Sequence, residues 1–327
     1  MKFALAFATA ALLAAPVARA GDLADVKARG ELRWGGDLQG GEPFVFEDEK
    51  QPGKIQGFEV EIADGLAREL GVRAKFMQND WSNLVPALER GDFDVVLNGL
   101  EDTPERRERI RLSGPYYTYG ETLAVRQGAP YASLAELAGK RVGTLNQTVA
   151  HDLVKAAPVE IVLYEGQQEP YMDLAKGRLD AVLLDHVIAD IYGCPIKGIR
   201  CLPEDVARGH YVIGIGKNAD ALQQAIDAGL ERMRGSGELE RILTHWKLWD
   251  ARQKQTAPVP AAPPTPAASA APGEHSQRIA PPPAPVERRL GKGHLLLFFE
   301  AALVTLLVST LSFALASPLG LALAGLR

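Results

Sequence analysis

The sequence lacks an excess of basic residues. Among its 327 residues, 36 are Lys or Arg and 41 are Asp or Glu, which gives a formal net charge of −5 at pH 7. A nucleic-acid surface needs clustered Lys and Arg to meet the phosphates, so this balance argues against nucleic acid as a partner. A hydrophobic content of 46 % is enough for a sizeable core, and the length leaves room for more than one lobe. A small ligand is the better hypothesis.

Cysteine and histidine are also scarce. The two cysteines, Cys194 and Cys201, lie in a stretch punctuated by Gly and Pro, where an exported protein can keep a disulfide bond. The six histidines show no metal-ligand spacing, and no phosphate-binding loop of the Gly-x-x-x-x-Gly-Lys-Ser/Thr type is present. No Ser/His/Asp or Cys/His arrangement suggests an enzymatic nucleophile. We therefore expect no metal and no cofactor.

Residues 1–20 predict a secretory signal peptide. Lys2 precedes an uncharged stretch rich in Ala, Leu and Phe, and Ala18-Arg19-Ala20 then has the small-x-small form of a cleavage site. A retained membrane anchor is the less favoured interpretation, because the apolar run is too short to span a bilayer comfortably. We expect the mature chain to begin at Gly21, outside the cytoplasm.

Short strand-like runs alternate with helical patterns from Gly21 to about Asp250. Helices are predicted to end at Gly71 and Gly91, and buried strands are predicted at residues 32–34, 94–97, 141–144, 160–163 and 181–184. This alternation indicates an α/β fold with a largely parallel sheet. Extended runs near residues 122–126 and 211–215 would carry the chain between two lobes. We expect lobe 1 at residues 21–124 plus 212–250, lobe 2 at residues 125–211, and a cleft between them.

The remaining residues predict a linker and a membrane span. Residues 251–290 contain a nearly uncharged Pro/Ala-rich stretch that cannot form a core, and we expect a linker there. Residues 295–326 are predicted to form one transmembrane helix, because nothing from 301 to 326 is charged and the run is long enough to cross a bilayer. Three basic residues just before the span would lie on the outer side, against the positive-inside rule, so its orientation stays open.

The segment LNGLEDTPERRERI, residues 97–110, suggests a binding function. Thr103-Pro104 is a typical helix start, because Thr caps a helix and Pro suits the first helical position. Arg106 would then lie one turn into the helix, beside free backbone N–H groups, where a guanidinium can bind a carboxylate in a bidentate manner. For the other charged residues of the segment, a solvated helix end is the better interpretation.

Several segments together resemble a known family. They include GFEVEIADGLARELG, WSNLVPALERGDFDVVLNGLEDTPERRERIRLSGPYY, LAGKRVGTLNQTVAHD and GRLDAVLLDHVIADIY. The resemblance covers Leu32 to Trp249 and is to the family 3 bacterial solute-binding proteins, the periplasmic receptors of polar amino acid ABC transporters. The final apolar segment is similar to the first span of the partner permeases, as in transporters whose receptor and permease are fused. The resemblance implies a two-lobed periplasmic-binding-protein fold (type II) with a ligand cleft.

The resemblance also implies a site for a zwitterion. Arg106 matches the arginine that clamps the ligand α-carboxylate, and Asp185 matches the aspartate that pairs with the α-ammonium. The other matching positions are Thr103, just before the arginine, Gly99 and Glu101, whose backbone groups hold the charged ends of the ligand, Thr148, in the second-lobe turn, and Asp37, near the ligand side chain. For Asp185 and Thr148, helix capping is the alternative interpretation.

This chain departs from the family pattern at three positions. Gly41 stands where an aromatic platform for the ligand side chain is usual, and Gln147 stands where a glycine is usual. Glu101 stands where a Ser or Thr hydroxyl assists the ligand carboxylate, and its own carboxylate would repel that group. Asp37, Glu42 and Glu101 together would favour a cationic side chain such as that of arginine or lysine.

We therefore expect a receptor and not an enzyme. It would bind a polar L-amino acid, with a basic one favoured, in the periplasm and deliver it to an ABC permease whose ATP-binding subunit is a separate chain. The linker and the span at residues 295–326 would anchor it in the bacterial inner membrane. Two alternatives stay open: an enzyme similar to cyclohexadienyl or arogenate dehydratases, with Glu101 as the candidate acid, and the ligand-sensing domain of a membrane receptor.

Overall fold

The computed structural model of the protein describes residues 22–254 and positions 278–279, 303, 306–307 and 310. The predicted signal peptide at residues 1–20 lies outside the described residues, as do most of the linker predicted at 251–290 and most of the helix predicted at 295–326. No helix within the described part of the chain combines the length and the apolar character that a membrane crossing requires. These three segments stay predictions.

Strands and helices alternate along the described chain, as the sequence predicts. The strands are β1 (Glu31–Gly36), β2 (Phe46–Glu47), β3 (Ile55–Gln56), β4 (Arg73–Gln78), β5 (Val95–Val96), β6 (Arg111–Leu112), β7 (Tyr117–Arg126), β8 (Arg141–Leu145), β9 (Glu160–Tyr164), β10 (Ala181–Asp185), β11 (Ile199–Cys201), β12 (Arg208–Tyr211), β13 (Gly214–Ile215) and β14 (Arg278–Ile279). The α-helices are α1 (Leu23–Arg29), α2 (Phe58–Leu70), α3 (Leu84–Arg90), α4 (Pro104–Arg109), α5 (Val149–Lys155), α6 (Glu169–Ala175), α7 (His186–Ile188), α8 (Asp220–Gly235) and α9 (Glu238–His245). The α/β prediction is confirmed.

The strands form two main sheets. The first has the order β4-β1-β5-β13-β6, and the second has the order β11-β7-β10-β8-β9-β14, with β12 also paired to β7. Strand β1 is parallel to β4 and β5, and β8 is parallel to β9 and β10. Strand β7 is antiparallel to β10, and β13 is antiparallel to β5. The sheets are therefore parallel at their centres but mixed overall, which the alternating pattern alone does not predict.

As far as β13, the chain passes from the first sheet to the second and returns once. The first sheet takes β1, β4, β5 and β6 and then β13, whereas the second takes β7 to β12 and, later in the chain, β14. Strand β7 is continuous from Tyr117 to Arg126, so the predicted lobe boundary at residues 124/125 falls inside a strand. The returning strand β13 rejoins the first sheet, where it pairs antiparallel with β5 and Ile215 lies beside Val95.

Helix α2 shows how the sequence builds the first lobe. Phe58, Ile62 and Leu66 recur at a spacing of four residues and are fully buried, so one face of the helix packs into the core. Burial of each such side chain contributes about 1.5–3 kcal/mol. The helix ends at Gly71, whose left-handed φ of 73° suits glycine and whose N–H donates to the carbonyl oxygens of Ala67 and Arg68.

Candidate functional site

A cavity lies where the carboxyl ends of the parallel strands of both sheets converge. Ligands of open α/β sheets bind at such ends. The cavity has about 470 Å³ of empty space, counted out to its open mouth. We call it the central cavity and define it by its polar and aromatic lining residues: Asp37, Phe44, Trp81, Asn98 and Glu101 from the first-sheet side, and Thr148, Glu165, Gln167 and Asp185 from the second-sheet side.

The lining of the central cavity is acidic. Asp37, Glu101, Glu165 and Asp185 contribute four carboxyl groups, and no Lys, Arg or His stands among the described residues that line it. The predicted acid Glu42 is exposed and does not line the cavity. A cleft whose ionisable lining groups are all carboxyls suits a cation better than an anion.

Arg106 lies at the predicted place in helix α4, but its guanidinium is already engaged by the protein. One terminal nitrogen, Nη1, donates to the carbonyl oxygen of Glu101 at 2.8 Å and to the carboxylate Oε2 of Glu101 at 3.1 Å. The other, Nη2, donates to the carbonyl oxygen of Gln147 at 2.8 Å. The guanidinium carbon lies 5.4 Å from the centroid of the Trp81 ring. Arg106 lines a neighbouring groove rather than the central cavity.

Glu101 connects the two sheets through its carboxylate. Oxygen Oε2 pairs with Arg106, and oxygen Oε1 accepts the backbone N–H of Val149, the first residue of α5, at 2.9 Å. The side chain is 5 % exposed. Burial raises the pKa of the Glu101 carboxyl, and the Arg106 charge opposes that rise. The carboxylate thus has a cation on one side and a backbone donor on the other.

Asp185 ends strand β10 and faces the central cavity. Its Oδ1 accepts the N–H of Ile188 at 2.9 Å and so caps α7, which is the capping role that the sequence left open. Burial raises the pKa of Asp185 to about 7. Glu121 stands directly opposite Asp185 on β7 and is fully buried. Burial, followed by the charges of Glu101 and Asp185, raises the pKa of Glu121 well above its ordinary value.

The remaining predicted site residues have local hydrogen-bonding roles. Thr103 caps α4 by accepting the N–H of Arg106 at 3.3 Å, and Thr148 caps α5 by accepting the N–H of His151 at 3.1 Å. Asp37 lines the cavity while accepting the N–H of Trp81 at 2.9 Å. The N–H of Gly99, a residue whose backbone is predicted to contact the ligand, donates to the buried carboxylate of Glu59 at 2.6 Å. The structure therefore brings Asp37, Gly99, Glu101, Thr148 and Asp185 to one cavity and places Thr103 and Arg106 beside it.

The sequence analysis missed several residues of the cavity. Trp81, Asn98, Glu165 and Gln167 line it although none was singled out. For Asn98, the Asn-Gly step directly after a buried strand was an available signal, since ligands gather at strand ends. The departure at Gly41 has a backbone reason: its left-handed φ of 68° suits glycine, and a Cβ there would also force the Tyr192 hydroxyl to move.

Three hydrogen bonds close the cleft across the two sides of the cavity. The indole Nε1 of Trp81 donates to the carbonyl oxygen of Asn146 at 3.0 Å. The Arg106 bond to Gln147 and the Val149 bond to Glu101 complete the set. Two of the three involve Glu101 or its partner Arg106, so this ion pair helps to hold the lobes together.

A covalent cross-link lies away from the cavity. The sulfur atoms of Cys194 and Cys201 are bonded, with their Cα atoms 5.5 Å apart. The described residues contain no free cysteine and no group of three or more His, Cys, Asp or Glu side chains able to hold a metal ion.

Comparison with known proteins adds independent information. The family described as bacterial extracellular solute-binding proteins, family 3, matches residues 33–248. The L-arginine-binding protein of Pseudomonas aeruginosa is 31 % identical over 203 residues, which are 58 % of this chain and 78 % of that protein. The L-cystine-binding protein TcyJ of Escherichia coli is 30 % identical over 232 residues, 69 % of this chain and 86 % of that protein.

A solved structure with the same fold extends the comparison. The ancestral amino acid-binding protein AncCDT-1, described as a precursor of cyclohexadienyl dehydratase, is 28 % identical with a TM-score of 0.63. The match covers 68 % of this chain and 98 % of that one. The two sheets of this chain are therefore the two lobes of a periplasmic-binding-protein fold.

Proposed function

Because this chain belongs to the bacterial extracellular solute-binding proteins of family 3, we propose that it is a receptor for a small basic solute, with basic L-amino acids as the first class to test. One observation carries the proposal: four carboxyl groups line the central cavity, and no cationic side chain of the described residues does. Unlike charges attract more strongly in a partly buried cleft than in bulk water, because less water screens them. Relatives named for L-arginine and L-cystine support a solute of amino-acid size.

We further propose that the receptor delivers its solute to an ABC permease. In this proposal, residues 1–20 direct export, residues 251–290 form the linker and residues 295–326 form the membrane tether, while a separate subunit hydrolyses ATP. Such a tether raises the concentration of the receptor at the permease to roughly millimolar if the linker lets it dock. The extracellular location of the family supports this arrangement.

Calorimetric titration of the purified chain tests the proposal. The ligands are arginine, lysine and ornithine, together with the amines that correspond to them without the carboxylate. Glutamate and glutamine are the controls. We expect at least one basic solute to bind about tenfold or more tighter than either control. Binding of glutamate or glutamine alone, or silence toward every solute, would overturn the proposal.

A pair of variants locates the binding. Asp185→Asn removes a charge from the cavity but keeps an oxygen for the Ile188 N–H, so the cap of α7 survives. Glu240→Gln removes a charge from an exposed position on α9, outside the cavity. Asp185→Asn should weaken binding of the basic solute, whereas Glu240→Gln should leave it unchanged.

A dehydratase is the second candidate function, favoured by the similarity to a precursor of cyclohexadienyl dehydratase. Such an enzyme needs a carboxylic acid that protonates the leaving group of its substrate. Glu101 is buried with a raised pKa, but both of its oxygens are engaged, one by Arg106 and one by Val149. Loss of prephenate or arogenate on incubation with the protein would establish this activity and would set aside a purely binding role.

A further inference from the structure

The Glu101 carboxylate has the surroundings that a bound carboxylate ligand would need. A buried arginine of the first lobe meets one oxygen, and a backbone N–H of the second lobe meets the other. Arg106 is the residue expected to clamp a ligand carboxylate, yet its contact in this structure is a side chain of the same chain. The central cavity beside this pair retains acceptors and acids but no cationic side chain among its described lining residues.

We propose that Glu101 supplies from within the protein the carboxylate that an amino acid ligand would otherwise bring, and that the central cavity selects small organic cations without a carboxylate. The class comprises amines and guanidines of the size of a decarboxylated basic amino acid. This inference rests on the proposed function, because it names the kind of basic solute that the receptor captures.

A ligand carboxylate is disfavoured for two reasons. To reach Arg106 it would have to displace Glu101, which would leave a buried acid without its cation. If it stayed in the cavity instead, it would face Asp37, Glu165 and Asp185 with no opposite charge to meet. The carboxylate of an amino acid therefore costs binding free energy that offsets the free energy gained by its cationic side chain.

The cavity suits the donors of an organic cation. An ammonium group carries three N–H donors and a guanidinium carries five, and neither carries an acceptor. Asp185 offers a carboxylate, and the side-chain oxygen Oε1 of Gln167 is buried with no hydrogen-bond partner in the described part of the chain. An unpaired buried acceptor is costly, and a cationic donor would satisfy it.

Matched ligand pairs that differ only in the carboxylate test the proposal. The full chain is titrated by calorimetry with agmatine against arginine, cadaverine against lysine and putrescine against ornithine. We expect the amine of at least one pair to bind about tenfold or more tighter than its amino acid.

The other outcomes separate this inference from the proposed function. Tighter binding of the amino acid, or affinities within about threefold in every pair, would overturn the inference and leave the proposed function standing. Silence toward both members of all pairs would overturn both.

Two substitutions at one position show whether Glu101 sets the preference. Glu101→Thr releases Arg106 and restores the hydroxyl that the family resemblance leads one to expect, so the preference should invert toward arginine over agmatine. Glu101→Gln keeps the shape and an acceptor for the Val149 N–H but removes the charge, so the preference for the amine should shrink. A merely structural role would weaken both members of a pair equally, and an unchanged ratio in both folded variants would refute the assignment.

Discussion

Arg106 and Glu101 are separated by five positions in the sequence and form a buried ion pair, with side chains that are 11 % and 5 % exposed. Removing one partner of such a pair leaves an uncompensated buried charge, which costs about 3–5 kcal/mol. We expect Arg106→Ala to lower the free energy of unfolding by this amount. Urea denaturation measures it.

A control on the same helix gives this prediction its contrast. Arg107 pairs with Asp102 at the surface, and its side chain is 59 % exposed. Exposed pairs contribute about 0–1 kcal/mol, so Arg107→Ala should be nearly neutral. The double variant Arg106→Ala/Glu101→Ala should lose less than the sum of its single variants. Equal losses for Arg106→Ala and Arg107→Ala would contradict a buried pair.

Glu59 is fully buried beneath the site and makes stability depend on pH. Burial raises its pKa from 4.5 to about 7, although the Tyr116 hydroxyl and the Gly99 N–H act in the opposite direction. Between these two values the folded protein holds a proton that the unfolded chain has released. The free energy of unfolding therefore falls as the pH rises through this window, by on the order of 3 kcal/mol for this group.

The matched variant is Glu59→Gln, which keeps an acceptor for Tyr116 and Gly99 and cannot ionise. Its stability should be close to that of the parent at pH 5 and greater than that of the parent at pH 8. Urea unfolding at both pH values decides the matter. A variant with the same loss between pH 5 and pH 8 as the parent would show that other groups cause the dependence.

At the scale of single residues, the sequence predicts local roles such as helix capping better than it predicts hydrogen-bond partners that are distant in the chain. The pattern around Thr103-Pro104 predicts the start of α4, because capping is local chemistry. The sequence also predicts that the Glu101 carboxylate would repel a ligand carboxylate. The sequence does not predict the hydrogen bond between Glu101 and the N–H of Val149, because 48 positions separate the two residues and only the closed cleft brings them together.

Helix α4 positions the arginine and is only six residues long. A helix of this length is not stable by itself, so its ends must be held. Thr103 caps the start, and the ammonium group of Lys217 donates to the carbonyl oxygens of Arg107 and Glu108 at the other end, at 3.0 and 2.7 Å. The element therefore depends on contacts outside its own sequence.

Removal of the cap should destabilise α4 measurably. Thr103→Ala leaves the N–H of Arg106 without its acceptor and should lower the free energy of unfolding by about 1 kcal/mol. Thr103→Ser keeps the hydroxyl and should be nearly neutral. Thermal unfolding of the two variants measures the difference, and an equal effect of both would point to the lost methyl group rather than the cap.

Strand β7 shows what the sequence pattern could not predict at the scale of elements. The run near residues 122–126 predicts an extended segment, but its pairing with β10, β11 and β12 is antiparallel throughout. A strand of ten residues with buried side chains on both faces reads the same in either direction, so only tertiary contacts decide its orientation. This pairing places the buried Glu121 directly opposite Asp185, which lines the site.

At the scale of the whole molecule, hydrogen bonds beside the central cavity hold the lobes together. Glu101 binds Val149, Arg106 binds Gln147 and Trp81 binds Asn146. In a receptor that closes only around its ligand, the ligand makes most of such contacts. This chain makes some of them itself, which favours closure before the solute arrives.

The two-lobed fold follows from patterns that the sequence displays, but this closure does not. Strands β1, β5, β8, β9 and β10 and the ends of α2 and α3 were predictable because each pattern is local. The closing contacts depend on the distance between two lobes, which no local pattern encodes.

A distance measured between spin labels on the two lobes tests whether the cleft closes without a bound solute. Lys50 and Lys176 are exposed, one in each lobe, and the described residues contain no free cysteine, so Lys50→Cys and Lys176→Cys can carry spin labels. Glu101→Ala removes the bond to Val149 and the partner of Arg106, so the distance distribution should shift toward longer, open separations. Glu240→Gln, on the exposed side of α9, should not change it. Identical distributions for the parent and Glu101→Ala would mean that packing around Trp81 and Tyr192 is sufficient for closure without the ion pair.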